Sequence, residues 1–354
     1  MKRFNLAWPG APLAIASAVL FGASTPFAKL LLGGGASPWL LAGLLYLGSG
    51  LGLGVVALIG RWKATHAEAA LVRADLPWLG LVVVSGGIVA PVLLMLGLAS
   101  TAASSAALLL NLEGLATMAI AWLVFRENVD RRLLLGAAAI LGGALLLSWQ
   151  GGAGSLGLGA LAIAGACLAW GIDNNLTRKL SAADPVQIAL VKGLVAGVVN
   201  LALAGVLGAH LPPPSVLLGA GVVGFLGYGV SLVLFVLALR HLGTARTSAY
   251  FSTAPFIGAL LAILMFGEPL TARLVFAGAL MALGLYLHLA ETHEHIHTHE
   301  PLDHEHAHVH DEHHRHAHAP GDPVTEPHTH RHQHAPMRHK HPHYPDLHHR
   351  HDHA

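Results

Sequence analysis

The chain has 354 residues, 54% of them hydrophobic and only 11% charged, with a mean hydropathy of +0.59 and a formal net charge of +1. Soluble globular domains carry about 25% charged residues, so this composition excludes a soluble fold and points to a lipid bilayer as the solvent of most of the chain. The charge is uneven: 23 of the 27 histidines and 11 of the 19 acidic residues follow Ala290, which separates an apolar body from a polar tail.

Lys2 and Arg3 precede the first apolar stretch. That stretch continues to Leu32, longer than the roughly 7 to 15 apolar residues of a signal peptide, and it reads as an uncleaved first span. A bilayer core needs about 20 apolar residues per helix. On that criterion ten spans are predicted, at 11–32, 37–60, 77–97, 103–125, 133–149, 157–177, 187–208, 216–239, 245–266 and 271–290. The abundant glycines, among them Gly48, Gly50, Gly52 and Gly54, suit close helix approach.

Lys and Arg in short connections set the orientation. Arg61, Lys63, Arg73, Arg126, Arg131, Arg132, Arg178, Lys179 and Arg240 fall on the side of Lys2 and Arg3, whereas only Lys29 and Arg273 lie toward the other. Both termini are therefore expected on the cytoplasmic side of a cytoplasmic (inner) membrane crossed many times. The polar connection between Arg61 and Asp75 suits a short surface helix. Cys167 is the single cysteine, which rules out an intramolecular disulfide, and it reads as a small core residue.

The second half repeats the first. An offset of 141 residues carries Phe125, Glu127, Arg132, Leu133 and Gly143 onto Phe266, Glu268, Arg273, Leu274 and Gly284, and an offset of 149 carries FGASTPFAKL onto WGIDNNLTRKL, with Phe21 on Trp170. Five spans per unit is an odd number, so the second unit enters the membrane inverted. The expected fold is an all-α polytopic membrane protein with ten transmembrane helices in two inverted five-helix repeats, 11–149 and 157–290. Inverted repeats are a common architecture of secondary transporters, with a site near mid-membrane that opens alternately to either side.

The paired patterns WLVFRENVDRRLL and ILMFGEPLTARLV, the segment ALRHLGTARTSAYFSTAPF and the two hinge-like stretches resemble the EamA-type ten-helix carriers of the drug/metabolite transporter superfamily. The resemblance implies a proton-coupled or exchange carrier with a central cavity, often an exporter of amino acids, metabolites or toxic compounds. It also implies a proline near the middle of the fourth and ninth spans. Pro255 fills that place in the ninth, but the fourth carries Gly114, preceded by Glu113.

Glu113 is the leading candidate for a substrate or coupling group. A carboxyl group inside the membrane is costly and is faced toward protein or a water-filled path, where it can exchange a proton as access alternates. The plainer alternative is a protonated side chain that hydrogen-bonds a neighbouring helix. Asn111 lies two residues earlier. Asp173 and Lys192, at comparable depth in adjacent spans, suit a mutually neutralising pair that acts as a structural lock or gate, with Asn174 and Asn175 beside it. Arg246 can attract an anion or simply snorkel, and Tyr250 and Ser252 are candidates for a cavity wall. Glu127 and Glu268 close equivalent helices and are expected to make helix-end contacts. No nucleophile–base pair and no phosphate-binding loop is present in a strand context, so no enzymatic activity, required cofactor or nucleic-acid partner is expected.

The tail at 291–354 alternates imidazoles with acidic residues and prolines, a composition that cannot bury a core and is expected to be disordered. Neutral imidazoles suit Zn, Ni or Co. The first candidate ligands are His293, His295, His297, His299, His304, His306, His308, His310, His313, His314, His316 and His318. The combined expectation is a secondary active transporter that exports a small metabolite, amino acid or toxic organic compound, with a tail that binds a transition metal. Transition-metal efflux, with Glu113, Asp173 and Asn111 as oxygen ligands, and a metal-responsive sensor without transport are the alternatives.

Overall fold

Hydrocarbon offers backbone amides no water to bond, so apolar segments of this length must close their hydrogen bonds within helices. A computed structural model describes residues 10–61, 71–125, 131–149, 156–177, 180, 183–289, 294–298, 302–308, 328–334 and 338–342. Its helices are α1 (Gly10–Gly33), α2 (Pro38–Arg61), α3 (Leu76–Val82), α4 (Ala90–Ser100), α5 (Ala103–Leu109), α6 (Leu112–Phe125) and α7 (Arg131–Ser148) in the first half. The second half holds α8 (Leu158–Thr177), α9 (Pro185–Val206), α10 (Pro214–Val223), α11 (Ser231–Phe251), α12 (Ala254–Phe266) and α13 (Ala272–Leu289). Among the described residues, seven helical stretches are long and apolar enough to cross a membrane, and α12 and α13 supply two shorter apolar ones. With the 20-residue α8, every expected span contains a helix.

The repeat is visible in the irregularities. The third span is interrupted by a π-helical turn at Val83–Val89 and the eighth by another at Gly224–Val230. The offset of 141 that carries Phe125 to Phe266 also carries Val83 to Gly224. In each turn the closing N–H reaches back five residues, from Ala90 to Ser85 and from Ser231 to Leu226. Packing is interlocked in the same sense. α2 lies against α9 and α7 against α13, while α1 packs on α11 and α12 of the other half and α8 packs on α4 and α6.

Two expected spans are not single helices. The fourth breaks at Leu110–Asn111, between α5 and α6, where the Asn111 amide competes for the backbone by donating to the Leu108 carbonyl at 2.8 Å. The expected connection at 240–244 is instead helical, inside α11, and the break falls at Ser252–Thr253. Proline dictates that position. Pro255 lacks the N–H that would bond the carbonyl of Phe251 four residues back, and its ring crowds that carbonyl. The polar connection after Arg61 ends in a short 3-10 turn at Arg73–Asp75, and its residues 62–70 lie outside the described ones.

Glycines bring the halves to backbone contact. A Cβ on Gly22 of α1 would collide with the Ala254 carbonyl oxygen of α12, and one on Gly258 would stand 2.7 Å from the Gly22 carbonyl oxygen. Helix ends are capped across the chain. The Glu268 carboxylate accepts from the N–H groups of Ala103 and Ser104 at 2.8 and 3.0 Å, and the Lys29 ammonium donates to the carbonyls of Leu98, Ala99 and Thr101. Glu268 thus makes the expected helix-end contact; Glu127 lies outside the described residues.

In the tail, expected to lack regular structure, the described backbone forms strands β1 (Glu294–Thr298), β2 (Leu302–His308), β3 (His328–His334) and β4 (Arg338–Pro342). They pair antiparallel as β1 with β4 and β2 with β3. The composition argument considered burial only. Strict alternation of histidine with other residues is also the period of a strand.

Gly22→Ala should destabilise the protein by about 1–3 kcal/mol, the cost of overpacking a close contact. Gly114→Ala should leave stability unchanged or raise it, because a Cβ there meets nothing within 4 Å. Thermal unfolding of both variants in the same detergent checks the contrast.

Candidate functional site

The break in the fourth span places Glu113 in the first turn of α6, where a negative charge is favoured by the helix dipole. Its Oε1 accepts a hydrogen bond from Asn174 Nδ2 of α8 at 3.0 Å. The same amide lies 3.2 Å from Thr117 Oγ1, and that hydroxyl donates to the Glu113 carbonyl at 2.9 Å. Asn175 donates to the carbonyls of Thr117 and Gly171, at 3.1 and 2.8 Å. Gly171 permits this approach of α6 to α8, since a Cβ there would meet Ala116 and the Thr117 nitrogen within 3 Å.

Glu113 is half-buried, whereas Asn174 and Gly114 are exposed. The exposure of Asn174 is on the inward side. It follows Trp170 by four residues and Cys167 by seven, both buried, and these spacings share a helix face. The lipid-type stripe of α8 is elsewhere, formed by Leu161, Leu168 and Ile172. The contact between Glu113 and Asn174 therefore borders an opening on the bundle side of α8.

Asp173, the next residue, is buried and forms an ion pair with Lys192 of α9, with Nζ to Oδ2 at 2.5 Å. Thr177 Oγ1 lies 3.3 Å from the other carboxylate oxygen. The pair rests on the π turn of the third span, where Gly86 is required because a Cβ would overlap the Asp173 carboxyl group. That turn releases carbonyls, and Pro91 adds to this, since it cannot donate to Gly87 four residues earlier. The Gly86 carbonyl accepts from Tyr46 OH at 2.5 Å and Trp170 Nε1 at 3.1 Å; the Gly87 carbonyl accepts from Asn200 at 3.1 Å.

Aromatic rings continue the cluster across the molecular centre. Phe21 meets Trp170, Tyr228 and Phe251 at ring-centroid distances of 6.2, 6.1 and 5.2 Å, and Tyr46 meets Tyr228 at 5.4 Å. Phe21 and Trp170 are equivalent positions of the two repeats, so the internal symmetry axis passes between them.

The structure thus brings Glu113, Asn174, Asp173 and Lys192 into one region at spans four, six and seven. Asn111 is buried at the break and satisfies the backbone there, with a further 3.8 Å contact to Met281. Tyr250 and Ser252 are half-buried at the end of α11 and the turn after it, and Arg246 lies within α11. His293, His299, His310, His313, His314, His316 and His318 lie outside the described residues, while His295, His297, His304, His306 and His308 sit on strands β1 and β2. Among the residues with described side chains, no three His, Cys, Asp or Glu gather as a metal site. Sequence reasoning passed over Tyr46, Asn200 and Thr117. Pro91, which orphans the carbonyl of Gly87, was the available signal for Asn200.

Residues 8–149 and 157–290 each match the EamA-like transporter family, one match per repeat. A protein of Methanothermobacter thermautotrophicus (strain Delta H), named an uncharacterized transporter, is 28% identical over 288 residues, covering 77% of this chain and 84% of its own. A solved crystal structure of a protein 19% identical in sequence superposes with a TM-score of 0.59, over 79% of this chain and 96% of the other, which supports the fold.

Lys192→Met should destabilise the protein by about 3–5 kcal/mol, because it leaves a buried carboxylate without its partner. Adding Asp173→Asn should recover most of that loss. Thermal unfolding of the single and double variants in detergent reads the difference; an unchanged single variant would remove the ion pair from the account.

Proposed function

This chain belongs to the EamA-like transporter family, and from that premise we propose that it is a secondary active transporter that exports a small organic solute by alternating access, with Glu113 as its coupling or substrate group. Membership makes it a multi-pass membrane transporter; solute class, direction and mechanism are this reading's own. The observation that carries it is the hydrogen bond from Asn174 to Glu113, made beside an opening on the inward face of α8 and at the first turn of a half-helix. Discontinuous helices with a polar group at the break recur at the binding sites of inverted-repeat carriers.

The equivalent position in the second repeat is Ala254, next to Pro255, so the break is repeated and the carboxylate is not. A fold requirement would act on both halves. A functional requirement needs only one group. Asp173 and Lys192 neutralise each other and are read as the lock that ties α8 to α9 across the π turn of the third span, leaving Glu113 as the titratable group beside the opening.

The positive residues on the side of Lys2 and Arg3 support a reading with both termini on the cytoplasmic side of a cytoplasmic membrane. There the histidine-rich tail would bind Zn, Ni or Co as a buffer or regulator. Efflux of the metal itself is the second reading. It has less support, because oxygen atoms of Glu113, Asp173 and Asn111 are weak ligands for these ions and Asp173 already has a cationic partner.

In proteoliposomes with an imposed pH gradient, Glu113→Gln should abolish gradient-driven solute flux while leaving thermal stability near wild type. Glu113→Asp should retain part of it. Full gradient dependence in the Gln variant would defeat the coupling role.

A further inference from the structure

The two ladders of the tail sort its residues by face. In an antiparallel pair, residues directly opposite share a face, and so do alternate residues of each strand. β2 and β3 pair His304 with His332, His306 with His330 and His308 with His328. The intervening pairs are Asp303 with Gln333, Glu305 with Arg331 and Ala307 with Thr329. The histidine positions of three successive cross-strand pairs therefore share one face of this ribbon. The positions of Asp303, Glu305, Ala307, Thr329, Arg331 and Gln333 share the other.

β1 and β4 repeat the pattern, with His295 opposite His341 and His297 opposite His339. Three residues separate β1 from β2 and three separate β3 from β4, so one hairpin register serves both ladders. The closing segments are distant in sequence. Ligands drawn from β2 alone would be local, whereas this register joins residues 304–308 to residues 328–332.

Spacing suits a metal ion. Directly opposite residues have Cβ atoms about 5 Å apart, and alternate residues along a strand are about 7 Å apart. Two adjacent histidine pairs then place four imidazole-bearing positions at the corners of a small rectangle. Four nitrogen ligands at about 2.0–2.1 Å are a standard set for tetrahedral zinc, and imidazole also suits Co(II) and Ni(II).

We propose that the tail holds a divalent transition metal in a cross-strand site made by His304, His306, His330 and His332, and that loading this site closes the tail hairpin in the β2–β3 register. The proposal rests on the metal-binding reading of the tail and changes its form. A diffuse run of local chelators becomes a defined site whose ligands come from both ends of a loop. Since binding free energy of a ligand set that forms only in the folded state is also folding free energy, the metal would act as the staple of a segment with no apolar core.

The test uses full-length protein in lipid nanodiscs, titrated with Zn(II) against a chromophoric chelator and with Co(II) for its ligand-field spectrum. The variant His304→Ala/His306→Ala/His330→Ala/His332→Ala removes the site; His313→Ala/His314→Ala/His316→Ala/His318→Ala removes four histidines outside the ladders. The first should weaken the tightest binding class by more than about a hundredfold, beyond the loss from one outer-sphere partner, and should reduce the tetrahedral Co(II) absorption. The second should leave both nearly unchanged. Equal losses in the two variants would overturn the site while preserving metal binding by the tail. Binding by wild type no tighter than by protein lacking residues 291–354 would overturn both. Register is read separately, in a Cys167→Ala background. Zn(II) should raise disulfide formation in Ala307→Cys/Thr329→Cys several-fold over Ala307→Cys/Gln333→Cys, and equal yields would also overturn the proposal.

Discussion

A carbonyl released from a helix inside a membrane has no water to accept from, and its satisfaction governs where this protein can be irregular. Three of the four helix irregularities described above show this. At the π turn of the third span, Tyr46 and Trp170 donate to Gly86 and Asn200 donates to Gly87. At the break of the fourth, Asn111 donates to Leu108, and the Cys167 thiol lies 3.7 Å from the Leu109 carbonyl. At the break of the ninth, the Thr253 hydroxyl donates to Tyr250 at 2.6 Å. Polar side chains that look like scattered exceptions in an apolar sequence thus have a common occupation, and they draw the second, third, fourth, sixth and seventh spans together around the candidate site.

The same architecture separates scaffold from chemistry. What Gly86 is to Asp173, Gly227 is to Ser24: each glycine of a π turn admits the first span of the other repeat, and each would collide if it carried a Cβ. Ser24 and Asp173 are equivalent by the offset that joins Phe21 to Trp170. The geometry is therefore twofold, while the charges of Asp173, Lys192 and Glu113 all belong to one side of the axis. Two related packings of a symmetric scaffold can open to opposite faces, but a single carboxylate is enough to be presented to each in turn. Gly114 and Asn174 give that carboxylate an open side that a purely structural glutamate would not need.

Much of this was legible in the residues. The repeat offset relates the two π turns to each other although it marks neither, and charge at matching depth paired Asp173 with Lys192. The breaks were not legible from hydropathy, because an apolar window is blind to one missing N–H. Pro255 had to be read as the loss of a bond to Phe251, and Asn111 as a competitor for Leu108 rather than as a residue on another face of a continuous helix. The connection expected at 240–244 failed for the complementary reason: glycine and polar residues there weaken a helix, yet without proline nothing forbids it. In the tail, the composition argument weighed burial alone, and the two-residue period of the strands was a separate signal.

The central claim is that the broken fourth span lies on a path open alternately to the two sides of the membrane. It is tested most directly by Gly114→Cys in a Cys167→Ala background, labelled with a membrane-impermeant thiol reagent in right-side-out and inside-out vesicles. The account predicts labelling from both sides, with the balance between them shifted by transported solute or by a pH gradient. Labelling from one side only, indifferent to both, would contradict it.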